Sequence, residues 1–206
     1  MARELLDGIF RRVQTTHGPG MEKIYVTATS LLQDSFRLGA QIHRSGFRPD
    51  FIVGIWRGGT PVGIAIQEYF EYVGVRADHI AVRTSAYVGI GQRSKAIRVH
   101  GLHYIIEEAN AGNSLLVVDD VFDSGNSIKA LLSELSEKMR LNMPQNVKIA
   151  TPWYKPGNNQ TTLVPDYFLH TTDKWIVFPH ELAGLSFEEI ETGKTELAPV
   201  LDLLRP

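Results

Sequence analysis

Short, almost uninterrupted apolar runs constrain this chain most: Phe51–Trp56 (FIVGIW) and Ser114–Val118 (SLLVV), followed by Val147–Trp153 (VKIATPW). A strand with one wet face alternates apolar and polar residues, whereas a run apolar at nearly every position has protein on both sides. Stretches of helical spacing separate these runs. One is expected from about Val62 to Tyr72; another is Ser127–Met139, which sets Ile128, Leu131, Leu132, Leu135 and Met139 along one face. An earlier helix, capped by Thr29 or Ser30, carries Leu31, Leu32, Ser35, Phe36, Gly39 and Ile42 and ends near Ser45-Gly46. With Lys23–Thr27 as a short β-branched run and Ile80–Arg83 as a further strand, the alternation predicts an α/β fold, a doubly wound parallel sheet with helices on both faces.

The chain has 206 residues, enough for a single domain to bury its own core. Its hydrophobic fraction of 43% and charged fraction of 21% are ordinary for a globular protein, and a net charge of -2 gives no general attraction to nucleic acid or to an anionic membrane. Any phosphate site must therefore be local. The absence of cysteine excludes disulfides, thiolate metal sites and thiol nucleophiles, and is compatible with a reducing compartment. The first twenty residues read as a short amphipathic helix ending at His17-Gly18-Pro19-Gly20, with charges where a signal peptide would be apolar. No segment approaches the ~20 apolar residues that span a bilayer. A soluble, cytoplasmic protein is the expectation, its residues 1–22 forming an N-terminal arm. Ser85–Gly112 is too long and polar for a simple strand-to-helix connection and reads as a lid, binding loop or flexible hairpin. Beyond Pro165, Tyr167–His170 and Trp175–Phe178 read as short strands and Leu197–Leu204 as a last helix.

The densest chemistry lies in Leu115–Ser127, LLVVDDVFDSGNS, where a buried strand delivers Asp119 and Asp120, then Asp123, before a small-residue turn opens a helix. Ligands of open α/β sheets sit beyond the carboxyl ends of the strands. There the carboxylates can take sugar hydroxyls or a metal, and the amides and side chains of Ser124, Gly125, Asn126 and Ser127 can wrap a phosphate at the positive end of the helix. A pair of aspartates ending a strand is also compatible with a helix cap and polar turn, or with an acidic metal pocket. The second constellation, Gly54-Ile55-Trp56-Arg57-Gly58-Gly59-Thr60, ends the first core strand; its glycines admit close approach to an anion and Arg57 supplies a bidentate charge. A third set is Trp153-Tyr154-Lys155-Pro156 with Asp173–Glu181, in which Trp175 offers an aromatic face for a planar ligand or fills the core. His100 and His103 lack a third metal ligand nearby and read as ordinary histidines.

The string VVDDVFDSGNS resembles the phosphoribosyl pyrophosphate signature of type I phosphoribosyltransferases, and the Trp175-Ile176-x-x-Pro179 setting resembles the base-binding segment of the 6-oxopurine members, over roughly residues 23–182. The resemblance implies that Asp119 and Asp120 hold the ribose hydroxyls directly or through Mg²⁺, that residues 123–127 take the 5′-phosphate, and that Arg57 and Gly58 line the pyrophosphate loop, where a peptide bond is often cis. It implies Asp123 as proton acceptor beside the purine, Lys155 as donor to O6, Trp175 as stacking partner and the Ile176 carbonyl as a contact to the base edge. Residues 165–206 become a small base-binding hood with a C-terminal helix. Glu181 falls where relatives often have an Asp that helps hold a second Mg²⁺. Ser85 and Tyr87 stand near the usual Ser-Tyr of the flexible loop, with Ala86 inserted between them.

The implied reaction joins phosphoribosyl pyrophosphate and hypoxanthine, guanine or xanthine to give a nucleoside monophosphate and pyrophosphate, in a homodimer or homotetramer serving purine salvage, without nucleic-acid or membrane partners. A phosphoribosyltransferase for another base, or a regulator that binds phosphoribosyl pyrophosphate with little catalysis, are the competing readings.

Overall fold

A computed structural model describes residues 22–88 and 95–205, so the expected N-terminal helix lies outside the described residues. The chain divides into two units, a larger one of residues 28–173 and a smaller one whose described residues are 22–27 and 174–205.

The larger unit opens with α1 (Ala28–Arg44), whose buried positions Leu31, Asp34, Ser35, Leu38, Gly39 and Ile42 recur at helical spacing. His43 and Arg44 in its last turn complement the negative end of the helix, and Gly46 (φ +89°) turns the chain away through the left-handed region. Strand β2 (Phe51–Trp56), helix α2 (Gly59–Tyr72), strands β3 (Asp78–Val88) and β4 (Lys95–His100), helix α3 (His103–Glu108), strands β5 (Ser114–Val118) and β6 (Val121–Phe122), helix α4 (Asn126–Met139), and strands β7 (Asn146–Tyr154) and β8 (Tyr167–Thr171) follow. In sheet order β4, β3, β2, β5 and β7 are neighbours; β6 runs along β7 beyond the end of β5, and β8 pairs with β7 on its own. All pairings are parallel except the β3–β4 hairpin, which explains why the polar excursion after Ser85 is so long: it holds half a hairpin and a short helix.

From β2 the chain winds to β3 on one side, then returns to β5 on the other and winds on to β7. The carboxyl ends of β2 and β5 thus flank the point where the winding reverses, the usual crevice for ligands in such sheets. Both faces of the sheet are buried. Val53, Ile55, Val82, Leu115, Val117 and Ile149 pack with Ile105 of α3 and Ile128, Leu131 and Leu135 of α4, while Ile52, Leu116 and Val118 on the same strands are equally enclosed. Helices α1 and α2 approach closely where Gly39 faces Tyr69: a β-carbon on Gly39 would stand 3.2 Å from the ring.

In the smaller unit β1 (Lys23–Tyr25) pairs in parallel with β9 (Trp175–Val177), in the register Lys23↔Trp175. Helix α5 (Phe187–Gly193) carries a full capping box, Ser186 and Glu189 exchanging side-chain and backbone hydrogen bonds, and a 3₁₀ stretch follows at Thr195–Leu204. The last stretch was expected as a helix and α5 was not. Strand β8 belongs to the main sheet, so the smaller unit resumes at Lys174 rather than at Pro165.

Candidate active site

Asp119 and Asp120 lie where β5 ends, and the turn after β2 presses directly against them. A β-carbon on Gly58 would stand 1.7 Å from Asp120 Oδ2, and one on Gly59 would stand 2.4 Å from the Val118 carbonyl and 2.8 Å from Asp119 Cα. Glycine is thus required at both positions by contact with the acid pair. The Trp56–Arg57 peptide is cis, as the resemblance led one to expect, and Arg57 is exposed on this turn. The buried Thr60 hydroxyl beside it has no hydrogen-bond partner.

The acid pair is electrostatically tense. Removal from water, then the charge of Asp120, hold the Asp119 carboxyl well above the usual carboxylate range, against the backbone N–H groups of Asp120 and Gly59, which donate to its ionised form. The Asp120 amide to Asp119 Oδ1 distance is 3.0 Å. Such a pair favours a proton, a cation or the hydroxyl donors of a sugar.

Asp123 to Ser127 form the next turn, with Gly125 in the left-handed conformation (φ +75°) immediately before α4. A β-carbon there would stand 2.6 Å from Thr161 Oγ1 and 2.7 Å from the Phe122 ring, so the turn is both left-handed and tightly packed. The first amides of α4 have no partners within the helix, the arrangement that receives a phosphate.

Lys155 directly follows β7, is only 5% exposed, and its Nζ lies 3.5 Å from Asp123 Oδ2. The loop after Lys155, not singled out in the sequence, runs beside the Asp123 turn. The Lys155 amide donates to Phe122 O (2.9 Å), Asn158 Nδ2 to Asp123 Oδ1 (2.9 Å), the Gln160 amide to Ser124 O (3.0 Å), and Asn126 Nδ2 to Gln160 Oε1 (3.0 Å). A cavity of about 570 Å³ opens between them, lined by Asp123, Ser124 and residues 157–160. The polar cluster Gly157-Asn158-Asn159-Gln160 was the only sequence signal for it.

Ser85 and Tyr87 lie on β3 within the hairpin, and Ser85 Oγ is 3.1 Å from His100 Nε2. In the smaller unit, Trp175 is half-buried on β9 and Ile176 is buried. Glu181 turns a carboxylate oxygen onto its own loop, accepting from the Phe178 amide (3.1 Å) while its own amide donates to Phe178 O (3.0 Å). The buried Lys194 ammonium donates to the carbonyls of Phe178 (2.6 Å) and Pro179 (3.2 Å), and its pKa is lowered by burial. Lys194 carried no recognisable signal in the sequence. Lys174 pairs with Glu22 at 2.6 Å, as suits a surface lysine.

Carboxylates at one strand end, a glycine turn pressed against them and a left-handed turn opening the next helix come together at the carboxyl ends of the strands, where doubly wound sheets take their ligands. The chain belongs to the phosphoribosyl transferase domain family, whose pattern matches residues 24–184. It is 28% identical over 174 residues to the hypoxanthine-guanine phosphoribosyltransferase of Lactococcus lactis subsp. lactis (strain IL1403), covering 82% of this chain and 85% of that protein. Among solved structures, a purine phosphoribosyltransferase from Pyrococcus horikoshii Ot3 superposes with a TM-score of 0.61 at 26% identity, over 81% of this chain and 98% of that one. The Helicobacter pylori xanthine-guanine-hypoxanthine phosphoribosyltransferase shares the fold, with a TM-score of 0.60 at 21% identity over 85% and 99%.

Proposed function

We propose that the protein transfers the 5-phosphoribosyl group of phosphoribosyl pyrophosphate to N9 of a 6-oxopurine, releasing pyrophosphate and forming a nucleoside 5′-monophosphate. The observation that carries this reading is the Asp119–Asp120 pair closed against Gly58-Gly59, with Asp123 and the buried Lys155 one turn further on. The purine acceptor is supported by what the Lactococcus and Pyrococcus relatives are named for.

In this reading the C1–O bond to pyrophosphate breaks ahead of formation of the C1–N9 bond, and the sugar passes through an oxocarbenium-like state. The carboxylates of Asp119, Asp120 and Asp123 stabilise that positive charge, and Arg57 receives the departing pyrophosphate. Asp123 accepts the proton that the purine gives up. The 5′-phosphate rests on the amides of residues 124–127. Lys155, which can only donate, is assigned to the purine O6. In the smaller unit, the resemblance assigns Trp175 to stacking on a base and the Ile176 carbonyl to a base edge.

The donor set fits Mg²⁺ carried in by the substrate. Two adjacent carboxylates, one of them the proton-seeking Asp119, provide protein ligands. That is how Mg²⁺ is commonly held, by one or two carboxylates with phosphate oxygens and water. Bound there, Mg²⁺ would supply positive charge to the pyrophosphate leaving group. Asp119 and Asp120 are its proposed ligands; Glu181, which the resemblance gives to a second Mg²⁺, holds one carboxylate oxygen on the Phe178 amide of its own turn.

No helix among the described residues is long and apolar enough to cross a membrane. A cytoplasmic homo-oligomer, a dimer in the first instance, and a place in purine salvage complete the proposal. Its direct test is Asp123→Asn, which is expected to fold normally and lose orders of magnitude in turnover; turnover near that of the unaltered protein would remove Asp123 from the reaction.

A further inference from the structure

We propose that Asn158 is a positioning residue for Asp123, setting the carboxylate that receives the purine proton; the inference rests on the catalytic reading of Asp123 given above. Asn158 Nδ2 lies 2.9 Å from Asp123 Oδ1, and the Lys155 ammonium lies 3.5 Å from Oδ2. The two oxygens are thus engaged by different donors. A carboxylate with only one oxygen engaged can rotate about its last bond, whereas one engaged at both is fixed in plane and azimuth. An amide N–H also pairs with the ionised carboxylate, the form that can accept a proton.

The loop is built to present this side chain. Pro156–Asn158 make one 3₁₀ turn, closed by the Asn158 amide donating to Lys155 O at 3.2 Å. Asp173 anchors that turn, accepting from the Gly157 amide at 3.0 Å, and its carboxylate stands only 2.8 Å from where a β-carbon on Gly157 would be. Asn159 shows what a structural asparagine does here: it donates to Leu163 O at 2.8 Å and accepts from the Thr161 amide at 2.9 Å, stitching its own loop. The exposed Asn158 side chain makes no such bond within the loop; its described hydrogen bond goes to Asp123, 35 residues earlier in the chain. A side chain that does nothing for its own turn and reaches the proposed proton acceptor is placed for function.

The test compares Asn158→Ala and Asn158→Asp with the unaltered protein, each also combined with Asp123→Asn, by steady-state kinetics in saturating Mg²⁺ and by direct binding of phosphoribosyl pyrophosphate. Loss of one hydrogen bond to a charged group predicts a kcat roughly tenfold lower for Asn158→Ala. Binding of phosphoribosyl pyrophosphate and thermal stability should stay as they were. Asn158→Asp, which sets a second carboxylate against Asp123, should lose more. In the Asp123→Asn background neither change should matter further, because the group being positioned is gone. An unaltered kcat in Asn158→Ala, a parallel loss of phosphoribosyl pyrophosphate binding, or a kcat loss that persists in the Asp123→Asn background each overturns the positioning role. The catalytic reading fails in a different arm: Asp123→Asn alone would then turn over normally.

Discussion

Gly58→Ala isolates the contact on which the proposed sugar-phosphate site depends. Gly58 has φ −67° and ψ −33°, a helical conformation open to any residue, so alanine brings no backbone strain. Its new methyl group would nevertheless sit 1.7 Å from Asp120 Oδ2 and 2.2 Å from Cγ, well inside the 3.0 Å that real β-carbons keep. Asp120 is only 8% exposed and must swing away. A displacement of ~1 Å in a positioned group costs roughly a hundredfold in rate, so kcat/KM for phosphoribosyl pyrophosphate should fall at least that far. The effect on stability should be smaller: about 1–3 kcal/mol for crowding, offset by about 0.4–1 kcal/mol from the lower entropy of the unfolded chain. Thermal unfolding measures the stability, and pyrophosphate release with calorimetric binding of phosphoribosyl pyrophosphate measures the loss at the site. Adding Asp120→Ala should restore stability without restoring activity. A stable Gly58→Ala with full affinity and turnover would refute the idea that the turn and the acid pair form one site.

Three further outcomes are expected. Asp119→Asn should be more stable than the unaltered protein at neutral pH in the absence of Mg²⁺, because burial and Asp120 raise the Asp119 pKa on folding; the favourable protonated form is complete below the unfolded value of about 4 and is lost as pH rises through the native one. Urea midpoints across pH should show that gap closing as pH falls, and a gap independent of pH would contradict the assignment. Trp175→Ala should weaken purine binding by roughly 1–3 kcal/mol with the affinity for phosphoribosyl pyrophosphate unchanged, as titration of each substrate would show; equal purine affinity would remove the stacking role. Lys155→Ala should narrow the preference for hypoxanthine over adenine in competition assays, since a buried donor discriminates against the amino group; an unaltered ratio would place selectivity elsewhere.

The sheet was legible because Phe51–Trp56 and Ser114–Val118 are apolar on both faces, and burial on both faces is what β2 and β5 experience. The acids at 119, 120 and 123 were legible because they sit together in the chain. The long segment after Ser85 was not resolved into β3, β4 and α3, since the pairing of Arg83–Val88 with Lys95–His100 depends on register across the hairpin rather than on apolar periodicity. Helix α5 was missed although Ser186 and Glu189 spell a capping box, because Phe187–Gly193 buries only Ile190 and so has no apolar stripe. The demand for glycine at 58 and the bond from Asn158 to Asp123 arise between segments far apart in sequence. No local spacing records them.

The central claim is most directly tested by pyrophosphate release from phosphoribosyl pyrophosphate in Mg²⁺, measured with hypoxanthine, guanine, xanthine, adenine and uracil offered singly. Release with one or more of the three 6-oxopurines, yielding the matching nucleoside 5′-monophosphate and exceeding that with adenine and uracil, is the predicted result. Tight binding of phosphoribosyl pyrophosphate without release for any base, or turnover confined to adenine or uracil, would contradict it.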